Sequence, residues 1–188
     1  MSRVIEAKAD ELVKKYRQTP AIAVDQIAIS EGAGIKYDEL DDQVSGLLVR
    51  KDTEAFIVVN AGHAETRQRF TIAHELGHLL LHRATPGIFV DGAHVQFRED
   101  ASTKKFDPRE VQANIFAASL LIPEQFLRKE LQAPIDIADD DAIRDIALRY
   151  NVSAQALTIR LMNLGLVAGY SGIGSRASAN GRLRSRTT

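Results

Sequence analysis

The sequence predicts an α+β fold that is mostly helical, with a small antiparallel sheet and a C-terminal pair of helices. Three observations favour this fold class. Apolar residues make up 45% of the 188 residues and charged residues 26%, which is the balance of a soluble globular protein with a sizeable core. Several segments carry apolar residues at helical spacing. Between them lies a short region of three apolar runs with the length and flanks of strands.

The first third of the chain predicts two helices followed by a small sheet. Apolar residues recur at helical spacing over 4–17, and a second helix is expected over 24–31, ending at Gly32 or Gly34. The strand candidates then follow one another closely, with Asp52-Thr53 as a hairpin tip: 34–39, 45–50 and 55–60.

The remaining two thirds predict helices around one irregular segment. Residues 84–107 lack periodicity, and we expect them to form a loop that could act as a substrate flap. Asp107 as N-cap and Pro108 at the first position open a helix that ends before Pro123. The predicted helices of this part are 67–82, 108–121, a short one after Pro123, 142–150 and 153–163.

Composition excludes several classes of protein. The chain has no cysteine, so disulfide scaffolds, cysteine zinc fingers and thiol nucleophiles are excluded. Apolar runs are too short to span a bilayer, and the first residues lack the apolar segment of a secretory signal, so we expect a cytoplasmic protein that does not enter a membrane.

Charge is unevenly distributed along the chain. Residues 171–188 hold four arginines and no acid, which leaves −5 for the first 170 residues against a total of −1. An acidic body does not attract nucleic acid or anionic lipid. We therefore expect one domain over 1–167 and a disordered, dispensable Arg/Ser/Gly-rich tail over 168–188.

The strongest chemical signal is an H-E-x-x-H motif inside a predicted helix. His74 and His78 are four residues apart, so both imidazoles lie on one helical face and can reach the same ion. Zinc accepts imidazole and carboxylate ligands and needs no redox partner. Glu75 lies beside the two histidines and can take a proton from a water molecule activated by the ion. Gly77 inside the helix suggests that another element approaches closely there.

A catalytic zinc site normally needs a third protein ligand. Glu110, on the helix over 108–121, can supply a carboxylate, although an acid in a first turn also complements the helix dipole. Asn114, one turn on, could orient a ligating imidazole. His82 is too far along its helix to bind the same ion, and His94 is either a ligand or a surface residue.

These segments closely resemble the ImmA/IrrE family of metallopeptidases. The strings that carry the resemblance are RFTIAHELGHLLLH (69–82), EVQANIFAASLLIP (110–123) and YNVSAQALTIRLMNLGLV (150–167). The resemblance implies a gluzincin-like core with one zinc ion per chain, and it places the third ligand on Glu110. Many members have a second Glu where this chain has Gln112, and a ligand at that position would weaken the site.

The resemblance also implies a biological role. Members of the family resemble regulators that cleave or inactivate helix-turn-helix repressors encoded beside them, in mobile elements, stress responses or toxin–antitoxin-like systems. We therefore expect a zinc metalloendopeptidase with a repressor as substrate. The alternative is a non-catalytic, metal-containing regulator that binds a protein partner or DNA. Residues 142–167 resemble a helix-turn-helix faintly, but their apolar spacing indicates core packing rather than DNA reading.

The sequence offers three candidates for the residue that stabilises the oxyanion. Tyr37, His82 and Tyr150 carry hydrogen-bond donors that could serve, and the sequence does not choose among them. The substrate's cleavage site and the oligomeric state are not encoded in any recognisable pattern.

Overall fold

The computed structural model describes residues 2–51, 54–82, 87–91 and 107–168, the strand at 87–91 by its backbone alone. Within these ranges the chain forms helices and strands in the order α1 (Ser2–Lys15), α2 (Val24–Ser30), β1 (Ala33–Asp38), β2 (Gly46–Lys51), β3 (Glu54–Asn60), α3 (Glu65–Leu81), β4 (Gly87–Asp91), α4 (Pro108–Leu121), α5 (Glu124–Glu130), α6 (Asp140–Tyr150) and α7 (Ala154–Asn163). The α+β class predicted from the sequence is confirmed.

The sheet is mixed rather than wholly antiparallel. Its strand order is β1-β3-β2-β4, and β2 pairs antiparallel with both β3 and β4. β1 pairs parallel with β3, with Ala33 opposite Ala55. The expected sheet is thus largely antiparallel, and the parallel pair of β1 with β3 is the exception. Because the β2–β3 hairpin folds back so that β3 lies between β1 and β2, the chain reverses twice before β3 meets β1, and these neighbours run in the same direction.

A fourth strand forms inside the segment expected to be an irregular loop. Gly87–Asp91 pairs with β2 along its whole length, from Gly87 opposite Arg50 to Asp91 opposite Gly46. The rest of the expected flap, the hairpin tip at Asp52-Thr53 and the basic tail lie outside the described residues.

Helix boundaries follow their capping residues. Asp107 accepts a hydrogen bond from the Arg109 amide, with Pro108 at the first helical position, as predicted. Asp139 and Ser153 cap α6 and α7 in the same way, through the amides of Ala142 and Ala156. The left-handed conformation of Gly165, with φ of 65°, follows the end of α7.

Helix α3 lies at the centre of the fold. It contacts α2, α4, β2 and β3, and its side chains Ile72 and Leu76 are buried in one cluster with Leu48, Ile57 and Phe116. Burial of each such side chain stabilises the folded state by about 1.5 to 3 kcal/mol. Among the described residues, no helix combines the length and the apolar character needed to cross a membrane.

Asn60 fixes the loop that leads into β2, and its loss should destabilise the fold. The side chain is 2% exposed, and its amide nitrogen donates to the carbonyls of Leu40, Asp41 and Val44 at 3.3, 3.1 and 2.9 Å. Asn60→Ala leaves carbonyl groups without this donor, so we expect the free energy of unfolding to fall by about 2 to 3 kcal/mol. Urea denaturation measures this free energy, with Gln43→Ala, at an exposed position of the same loop, as the matched control. Equal urea midpoints for the two variants would show that Asn60 does not stabilise the loop.

Candidate metal centre

The centre is built where α3 and α4 cross closely. A Cβ atom on Gly77 would lie 3.1 Å from Phe116 Cδ1 and 3.2 Å from the Cα of Ala113. A glycine therefore permits this approach of the two helices, as its place inside a helix predicted. The crossing brings α3 residues next to the first turn of α4.

Two imidazoles and one carboxylate converge at the crossing. The Nε2 atoms of His74 and His78 lie 3.0 Å apart, and each lies 3.3 Å from an oxygen of Glu110. One ligand atom from each residue falls within 4.8 Å of the others, so the three can hold one metal ion. The neighbouring imidazoles of His74 and His78 hold the pKa of the Glu110 carboxyl far below its usual range, so this group is ionised at neutral pH.

The centre is open on one side. The His74 side chain is 6% exposed and that of His78 16%, whereas the Glu110 side chain is 44% exposed. The two imidazoles are thus held inside the fold while the carboxylate lies at the surface. Within the described part of the chain, Glu110 is therefore the member of the group most exposed to solvent.

Asn114 orients His74 from the next turn of α4. Its Oδ1 lies 3.0 Å from Nδ1 of His74. Because a carbonyl oxygen only accepts, this contact assigns the proton to Nδ1 and leaves the Nε2 lone pair directed at the centre. The orienting role expected for Asn114 from its spacing matches this geometry.

His82 and Gln112 orient His78 through consecutive hydrogen bonds, as Asn114 orients His74. The Nδ1 atoms of His78 and His82 lie 3.0 Å apart, and Nε2 of His82 lies 3.1 Å from Oε1 of Gln112. Gln112 accepts from His82, which leaves Nδ1 of His82 to accept from His78 and turns Nε2 of His78 toward the centre. Burial lowers the pKa of His82, which favours the neutral form that this arrangement needs. Glu110 contacts the two central histidines, and Gln112 contacts His82.

Arg50 is a residue of this region that the sequence did not reveal. From β2, it donates to the carbonyls of His78 at 2.7 Å and His82 at 3.3 Å, at the end of α3. Burial lowers the pKa of Arg50, and the carboxylate of Glu75 offsets part of that effect, so the two charges are neighbours. Glu75 is itself 1% exposed. No local pattern could have signalled a contact that joins a strand to a helix end 28 residues away.

The other residues considered for the oxyanion lie elsewhere. The Tyr150 side chain is fully buried and its hydroxyl donates to Glu130 at 3.1 Å; burial raises its pKa. Tyr37 is half exposed on β1, where Arg69 and Glu65 near the start of α3 are charged neighbours. His82 is the candidate that the structure brings next to a central histidine. His94 lies outside the described residues.

Known proteins are similar to the part of the chain that contains the candidate metal centre. A family model described as Peptidase_M78, IrrE N-terminal-like domain, matches residues 31–162, which include α3 and α4. The chain is also similar to "Uncharacterized immunity region protein 2" of Bacillus phage phi105. The two are 26% identical over 121 residues, which cover 64% of this chain and 70% of the phage protein.

Proposed function

The chain belongs to the IrrE N-terminal-like family Peptidase_M78, and on that premise we propose that it is a cytoplasmic, zinc-dependent endopeptidase that cleaves a protein partner. Family membership supports a metallopeptidase-type enzyme. The observation that carries the proposal is the set of two imidazole nitrogens and one carboxylate oxygen within 4.8 Å. Three protein ligands of these types, with one position left for water or substrate, are typical of catalytic zinc sites.

In this proposal His74, His78 and Glu110 hold the metal. The donor set fits zinc, because both imidazoles are oriented through their Nδ1 atoms and the carboxylate is ionised. A bound zinc ion would lower the pKa of a water molecule and polarise the scissile carbonyl.

Glu75 is the proposed general base. It follows His74 on α3 and is buried, so its carboxylate is held in place rather than moving in solvent. It takes the proton of the attacking water and passes it to the leaving amine. Arg50 is its charged neighbour.

The proposed partner is a helix-turn-helix repressor encoded nearby. The resemblance to the ImmA/IrrE family and the similar protein from a phage immunity region both support this partner. We expect purified protein to cut that repressor into one or two discrete fragments, and to have little activity on casein. Gel electrophoresis with and without a zinc chelator tests the proposal, and an uncut repressor at full zinc occupancy would reject it.

Helices α6 and α7 do not favour the alternative of direct DNA binding. Each arginine of this pair has an acidic partner: Arg144 with Asp141, Arg149 with Glu130 and Arg160 with Glu6. The apolar residues predicted to face the core are buried, namely Ile143, Ile146, Leu157 and Leu161. The pair is built as part of the domain's core.

Metal content is the first measurable consequence. Protein purified without chelator should carry about one zinc ion per chain, and added zinc should raise the melting temperature of protein stripped of metal. Elemental analysis and thermal denaturation measure the two effects. Absence of any transition metal, together with an unchanged melting temperature, would contradict a zinc site.

A further inference from the structure

We propose that a groove between α1, α4 and α7 is a subsite that binds an apolar segment of the polypeptide substrate next to the scissile bond. The inference rests on the proposed function, because it assigns substrate selectivity to the same centre. It goes further in naming the chemistry that the substrate must offer and the residues that select it.

The groove has the size and lining of a binding site. Its volume is about 520 Å³, within the range of pockets that bind small ligands. Its apolar lining comes from three helices, α3, α4 and α7, and is made by Phe70, Val111, Ile115, Ala118, Ala156 and Ile159. Among these residues Val111 leaves apolar surface in contact with water, since it is 41% exposed. A bound apolar side chain would remove this surface from water.

The groove is continuous with the candidate metal centre through two residues. Phe70 lines it and stacks against the ring of His74, with centroids 6.4 Å apart and an angle of 30° between planes. Asn114 also lines it and contacts Nδ1 of His74. Glu110 precedes Asn114 by one turn of α4, so the groove begins about one helical turn from the carboxylate of the centre.

Charge in the groove favours an uncharged occupant. Among the described residues that line it, the ionisable side chains are Glu6 and Arg160, which pair with each other at 3.3 Å. The Arg160 guanidinium is 5% exposed and also donates to the carbonyl of Ile122. Neither charge is therefore available to bind an ion on the substrate, and an acidic or basic segment would lose its hydration without compensation. The occupant is an apolar stretch of polypeptide.

The test uses peptidyl hydroxamates, whose hydroxamate group chelates zinc and so anchors each probe at the centre. Three probes differ only in the side chain next to the hydroxamate: leucine, alanine or aspartate. Isothermal titration calorimetry measures their affinity for the zinc-loaded protein. We expect leucine to bind at least tenfold more tightly than alanine, and aspartate to bind most weakly.

Two variants test whether the groove residues determine the preference for leucine over alanine. Val111→Asp and Ile159→Ser change the groove from different helices, and each should reduce the ratio of leucine to alanine affinity to about twofold or less while zinc content stays near one per chain. Leu148→Asp, at a position 71% exposed on α6 and away from the groove lining, is the matched control and should leave the ratio unchanged.

The outcomes separate this inference from the proposed function. If zinc binds and all three hydroxamates bind equally, the subsite is wrong while the metal centre stands. Selectivity that survives in both groove variants also rejects the subsite. If no hydroxamate binds or no zinc is held, the proposed function fails, and the subsite fails with it.

Discussion

Glu75→Gln should abolish cleavage of the partner repressor while zinc stays bound. The amide keeps the size of the side chain but cannot take a proton, so the rate should fall by about 10²- to 10⁴-fold, the usual contribution of a general base. Glu75 is not one of the three proposed metal ligands, so zinc content should remain about one per chain. Single-turnover cleavage and elemental analysis measure the two effects.

This variant also separates the enzyme from a non-catalytic regulator. A protein that inactivates its partner by binding alone would keep that effect in Glu75→Gln, with no fragments formed. Because Glu75 is buried and has Arg50 as a charged neighbour, replacing its carboxyl group can also affect folding. The melting temperature of the variant is therefore the control for a folding defect. A stable, zinc-loaded variant that still cleaves would remove Glu75 from the mechanism.

Features that depend on the spacing of residues close together in the sequence were predicted well. The four-residue interval between His74 and His78 fixes their common face whatever the rest of the fold does. Asp107 and Pro108 specify the start of α4 through their own side chains. Gly77 inside α3 indicated a close helix crossing, and Ala113 lies there. Each of these inferences depends on residues within a few positions of one another.

Features that depend on distant pairing were missed. The parallel contact of β1 with β3 depends on strand order, which alternation of apolar residues does not encode. β4 is a short run that becomes a strand because β2 offers it a partner. His82 and Gln112 are 30 residues apart and meet only because α3 and α4 cross. The groove likewise needs α1 and α7, from opposite ends of the domain, to lie against α4.

Glu110→Ala should lower zinc affinity at least 100-fold, because it deletes the carboxylate that lies 3.3 Å from both imidazoles. Gln112→Ala, on the same helix, removes the acceptor of His82 rather than a carboxylate beside the two imidazoles, and should lower zinc affinity by about tenfold or less. His94→Ala should have little effect. Competition with a chromophoric chelator measures the affinities, and a larger loss in Gln112→Ala or His94→Ala would reject Glu110 as the ligand.

The Glu110→Gln variant tests whether Glu110 is a metal ligand or only an acidic residue that interacts with the helix dipole at the start of α4. The cap of α4 is already supplied by Asp107, so an acid that acts only on the helix dipole would contribute about 0.3 to 1 kcal/mol to folding and nothing to zinc binding. As a ligand, its loss of charge should weaken zinc binding severely while the metal-free protein keeps its fold. Zinc should then no longer raise the melting temperature of the variant, because that rise depends on how tightly the native state binds the ion. An unchanged rise would show that Glu110 stabilises the helix and that the third ligand lies elsewhere.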